Sequence, residues 1–122
     1  MRKPFEYAVI RLVPRIERGE QINIGVILYC QGLDFLGART HLDADRARAL
    51  APDVDLEEVA AALQSWDRTC VGAGPSAGMR HGERFRWLVA PRSTMIQAGP
   101  VHTGLTADPA AELDRLLETL VR

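Results

Sequence analysis

The apolar positions change period along the chain, and each change marks an element. From Phe5 to Val13 they fall on both parities of a strand: Phe5, Tyr7, Val9 and Val13 on one, Ala8, Ile10 and Leu12 on the other. A strand apolar on both faces belongs inside a covered sheet or at its centre. Arg11 interrupts the first parity, and Pro14 ends the run. After the charged connection Arg15–Glu20, which contains Gly19, the residues Gln21–Cys30 read as a second strand. Ile22, Ile24, Val26 and Leu28 are its core parity; Asn23, Gly25, Ile27 and Tyr29 face the other way. Gln31-Gly32 signals a tight turn, and Leu33–Thr40 returns as a third strand. The opening is an antiparallel meander.

The period then becomes helical. Asp43 caps a short helix that stops before Pro52. Asp55, with Glu58 three residues on, opens a longer one. Its stripe is Leu56, Val59, Ala60, Leu63, Trp66 and Cys70, a face packed on a sheet rather than a cofactor box. Residues 71–83, with four glycines and Pro75, read as a Gly-rich mobile loop. Arg84–Ala90 alternates again, Phe85, Trp87 and Val89 against Arg84, Arg86 and Leu88, and predicts a strand ended by Pro91. Ser93–Ala98 predicts another, ended by Gly99-Pro100, and residues 101–105 read as irregular. Asp108 as N-cap and Pro109 at the first helical position open the last helix, buried through Leu113, Leu116, Leu117, Leu120 and Val121. The order β-β-β-α-α-β-β-α predicts an α+β fold, a mostly antiparallel sheet with helices packed on one face. The 122 residues fit a single domain, 1–122.

Composition is that of an ordinary globular chain: 47% hydrophobic and 25% charged. The first apolar run is too short and too broken by Arg11 for a signal or spanning segment. Cys30 and Cys70 match no C-x-x-C spacing, so two free buried thiols in a reducing cytoplasm are expected. The net charge is −1, less basic than a generic nucleic-acid binder. Lys3 is the only lysine, so every other basic residue is an arginine. Arginine holds carboxylate and phosphate bidentately, which lysine does not.

The three histidines, His41, His81 and His102, have no metal-ligand spacing, and neither a metal nor a cofactor is expected. The Gly-x-Gly near residue 72 follows a helix rather than a strand, so the phosphate-cradle fingerprint fails. His102, between two prolines, is the one weak candidate for acid–base catalysis. The arginines are more informative. Arg11 lies within an apolar strand, where an unpaired charge is costly. It should meet a carboxylate, such as Glu17 or Glu20, or line a cleft. If the first and fourth strands are neighbours, Arg11, Arg84 and Arg86 share a face. A cluster of Arg11, Asn23, Arg84, Arg86 and His102, with Arg92 and Thr103 beside it, is the expected ligand-binding set, for a small anionic group.

Tyr7-Ala8-Val9-Ile10-Arg11-Leu12-Val13-Pro14-Arg15 leads through Arg18-Gly19-Glu20 to Asn23-Ile24-Gly25-Val26. Later come Arg84-Phe85-Arg86-Trp87-Leu88, Ala90-Pro91-Arg92-Ser93-Thr94 and Pro100-Val101-His102-Thr103-Gly104-Leu105-Thr106, then Asp108-Pro109. Over nearly the whole chain this pattern resembles the bacterial family known as domain of unknown function 3037. The resemblance brings no activity and no residue roles. Genes of such proteins are often found beside genes for HipA-like serine/threonine kinases, so it implies a protein partner of that kind. Three readings follow in order: a non-catalytic accessory or interaction module, a binder of a phosphate-containing ligand (nucleotide or nucleic acid) through an arginine-lined sheet face, and a phosphodiester hydrolase using His102.

Overall fold

The computed structural model describes residues 1–122. Its strands are β1 (Lys3–Leu12), β2 (Ile22–Cys30), β3 (Phe35–Thr40), β4 (Ile96–Ala98) and β5 (His102–Thr106). Its helices are α1 (Ala44–Leu50), α2 (Leu56–Cys70), α3 (His81–Val89) and α4 (Pro109–Leu120). All strand pairs are antiparallel, in the order β3-β2-β1-β4, with β5 also paired to β1. β4 and β5 follow one another along the same edge of β1, parted by Gly99, Pro100 and Val101. The fold is α+β, with three strands first, then helices, two strands and a last helix.

β1 and β2 are buried on both faces, and a bulge sorts the apolar residues of β2. The register steps between Ile10 and Arg11, so Ile10 opposes Gly25 while Arg11 opposes Asn23, and Ile24 is the extra residue. Ile22 and Ile24 therefore share a face with Ile27 and Tyr29, whereas Val26, Leu28 and Cys30 turn to the other. The single core parity expected for Ile22 through Leu28 is corrected by this bulge. Gly25 permits it, because a Cβ there would lie 2.7 Å from the carbonyl oxygen of Arg39.

Each face has its own core. On the first, Ala8, Ile10, Leu12, Ile24, Ile27 and Ile96 meet Ala47, Val59, Leu63, Trp66, Phe85 and Leu88 from α1, α2 and α3. On the second, Phe5, Val26, Leu28 and Cys30 meet Leu113, Leu116 and Val121 from the α4 segment. The expectation of helices on one face alone is thus corrected: more apolar residues line the strands than one helical layer covers. Asp43, Asp55 and Asp108 cap α1, α2 and α4, each accepting from backbone N–H groups of the first turn.

The segment Arg84–Ala90 is a helix, not a strand. Phe85 and Leu88, three apart, are buried, and Trp87 is 60% exposed rather than core. A short run with apolar residues at 85, 87, 88 and 89 satisfies either period. The ends decide it: the Glu83 carboxylate accepts from the Arg80 N–H at 3.1 Å, and Ala90, forced extended before Pro91, stops the helix. The later strands are instead Ile96–Ala98, the end of the predicted Ser93–Ala98, and His102–Thr106, which had read as irregular. Within the Gly-rich segment 71–83 lie a 3-10 turn at Gly74–Gly78, pinned by buried Ser76, and the first turn of α3.

Two outcomes follow. Gly25→Ala overpacks the bulge against backbone and should cost about 1–3 kcal/mol, read as a drop of several degrees in thermal midpoint. Burial pushes the Cys70 thiol up to about 11 from an ordinary 9.0, with Asp67 adding to the shift. The unfolded chain then loses that proton first, so this contribution is intact below the ordinary value and is lost as pH climbs through 11. Melting curves across this range should fall less steeply for Cys70→Ala than for the parent.

Candidate functional site

A cleft of about 1120 Å³ opens where α3 begins. One wall is the first turns of α3, from Arg80 to Arg86. The opposite side is Pro4, Phe5 and Glu6 of β1 with Thr103 of β5, and the end is the turn from Gln31 to Asp34. Asp34 is the only non-glycine residue in the left-handed region, at φ 50°, and its backbone closes a 3-10 turn there. Its carboxylate lies 3.3 Å from Nδ1 of His81, the first residue of α3, though without hydrogen-bond geometry. The Tyr29 phenol passes beneath the helix start. A Cβ on Gly82 would lie 3.0 Å from its hydroxyl, so the glycine makes room for it. The Tyr29 ring stacks on Phe85 at 5.5 Å, which ties the cleft to the first core.

The charges of the cleft are mutually engaged. Arg86 Nη2 donates to Glu6 Oε2 at 2.8 Å, with its guanidinium 5.3 Å from the Phe85 ring. Arg80 Nε lies 3.6 Å from Glu83. Two arginines and a histidine thus face three carboxylates, those of Glu6, Asp34 and Glu83. Such a surface attracts neither a polyanion nor a polycation strongly.

The expected ligand-binding residues separate into three places. Arg86 and Thr103 line the cleft. Arg84 and Arg92, from the same segment, act on backbone. Arg84 donates from Nε to the Met79 carbonyl at 3.0 Å and from Nη1 to the Cys70 carbonyl at 3.4 Å. Its guanidinium lies against Gly72, whose φ of +82° and missing side chain both suit that approach. Arg92 donates to the carbonyls of Ala90 and Trp87 and lies over the Trp87 ring at 5.7 Å. Both sit at helix C-termini, Arg84 on the last residue of α2 and Arg92 at the end of α3, where cations meet orphan carbonyls. Arg11, Asn23 and His102 lie on the opposite face of the sheet from α3. Arg11, Arg84 and Arg86 therefore do not share a face, because the segment bearing the latter two is helical. His102 is exposed in β5, its ring 5.3 Å from that of Tyr7.

A family model described as Protein of unknown function (DUF3037) matches residues 7–121. The chain belongs to this family. The match spans β1 from Tyr7 onward and every later element, so the DUF3037 fold includes both helical layers and the cleft's α3 wall. No curated protein and no solved structure matches the chain.

Sequence reasoning missed His81, Asp34, Tyr29 and Glu6 as neighbours. Only the helical assignment of 81–89 brings them together, and a strand reading of Arg84–Ala90 hid it. One signal was present: Glu83 three residues after Arg80 has half of a capping box. Arg84→Ala removes two bonds to carbonyls at a partly buried corner. It should lower stability by about 1–3 kcal/mol, measurable by urea unfolding with unchanged slope.

Proposed function

We propose that the protein is an interaction module that holds an extended segment of a polypeptide partner in the cleft beside α3. The observation that carries this reading is the mixture of charge in that cleft. The carboxylates of Glu6, Asp34 and Glu83 stand with the guanidinium groups of Arg80 and Arg86 and the His81 imidazole across a concavity of about 1120 Å³. A peptide supplies N–H groups, carbonyls and side chains of either sign, so it meets such a lining group by group. Beside it, β5 has no strand on its outer edge, and peptides add to such edges through main-chain bonds.

A nucleotide or nucleic acid fits this surface less well. Arg84 and Arg92 are committed to carbonyls and Arg86 to Glu6, so these three of the arginines expected to hold phosphate have little to offer it. A HipA-like kinase is the partner we put first, on the family resemblance; the cleft is the surface through which we propose it binds.

The test is binding of the purified chain to a HipA-like kinase and to peptides selected from a random displayed library. Thr103→Trp, at an exposed position of β5, fills the cleft without touching either core. It should weaken binding at least tenfold at an unchanged thermal midpoint. Binding that survives Thr103→Trp moves the partner to another surface. A salt-sensitive stabilisation by nucleotides, with no peptide selected, would favour the phosphate reading.

A further inference from the structure

We infer that Arg11 is an oxyanion-binding residue, which takes a single carboxylate on the β1–β4 side of the sheet's second face. This site lies across the sheet from the cleft and does not depend on the function proposed for it.

Arg11 lies in a strand whose neighbours Ile10 and Leu12 are fully buried. An arginine in such a place normally pairs with a carboxylate or spends its N–H groups on carbonyls. The other arginines of this chain do so, except the exposed Arg2 and Arg68. Arg15 meets Asp53, Arg39 meets Asp114, and Arg84 meets carbonyls. Arg11 makes no ion pair and no hydrogen bond, and its Nε is shut off from solvent with no acceptor. The carboxylates near in sequence do not serve it: Glu20 is paired with Arg18.

The surroundings hold the guanidinium in place without neutralising it. Its planar group lies on Gly99, where a Cβ would stand 2.8 Å from Cζ and 3.0 and 3.1 Å from the two Nη atoms. Any other residue at 99 would displace it. Its cross-strand neighbours are Asn23 on one side and Gln97 on the other, both neutral amides. Asn23 Nδ2 donates to the Leu120 carbonyl at 3.0 Å, and Gln97 Nε2 to the Thr94 carbonyl at 2.8 Å. The positive charge of the strip is therefore Arg11's alone. α4 packs chiefly over β2 and β3, and Arg11, further across this face, is only half-buried. With Nε buried, the accessible part of the fork is its Nη1/Nη2 edge. That edge matches the two oxygens of one carboxylate side by side.

A partly buried charge with no partner destabilises the chain that carries it, and the cost is recovered when the anion binds. Two measurements test this. The first follows the Nε–Hε resonance of Arg11 by NMR as sodium acetate replaces chloride at constant ionic strength. A saturable shift at Arg11, with only a linear drift at exposed Arg68, is expected. The second compares Arg11→Met with the parent in chloride. Met keeps the apolar stem and removes the charge, so its thermal midpoint should rise by a few degrees, and acetate should stabilise the parent but not the variant. A linear drift at Arg11 overturns the site. So does a variant that melts lower or fails to fold, since the guanidinium would then be part of the core. Saturation by inorganic phosphate and not by acetate would overturn the carboxylate assignment.

Discussion

The fold turns on how many apolar side chains the first two strands must hide. β1 and β2 present buried residues on both sides, so a single layer of helices leaves half of them in water. The bulge at Ile24 and Gly25 divides β2 between the two faces: isoleucines go toward α2 and α3, while Val26, Leu28 and Cys30 go toward α4. Once that division exists, the positions of the helices follow. α4 has to cross to the second face, and the connection through β4 and β5 carries the chain to that side along the free edge of β1.

Arginine takes the place that glycine caps and lysine often hold elsewhere. Arg84 and Arg92 close the ends of α2 and α3 by reaching carbonyls, and in each case the flat guanidinium rests on another planar or bare surface. Two such groups rest on glycines, Arg84 on Gly72 and Arg11 on Gly99. The contact is alike and the chemistry is not. The first guanidinium has its acceptors, and the second lacks them.

The sequence made the meander, the caps at Asp43, Asp55 and Asp108, and the buried stripes of α2 and α4 readable. Those features rest on local chemistry: a side-chain oxygen over the first turn, or a repeat long enough to show one period. What was not readable is where local periods tie. Over Arg84–Ala90 the apolar positions fit both a strand and a helix, and the ends, Glu83 on the Arg80 N–H and Ala90 before Pro91, select the helix together with packing of Phe85 on Tyr29. The bulge was hidden for a related reason, since alternation in Gln21–Cys30 looks unbroken until Arg11 and Asn23 fix the register from the other strand. The cleft inherits both difficulties. His81, Asp34 and Glu6 come from three separate segments, and no spacing in the chain links them.

β1 pairs with β2 soon after it in sequence, but its second edge is filled by β4 and β5, which come only after α3. During synthesis β1 and β2 can pair at once, yet one row of β1 backbone groups stays open until β4 (Ile96–Ala98) and β5 (His102–Thr106) have been made. Contacts between sequence-distant strands also slow folding after release, through the entropy of closing so large a loop. Until α4 arrives, Val26, Leu28 and Cys30 have nothing over them, and apolar residues beside an open strand edge make the kind of surface that associates with other chains.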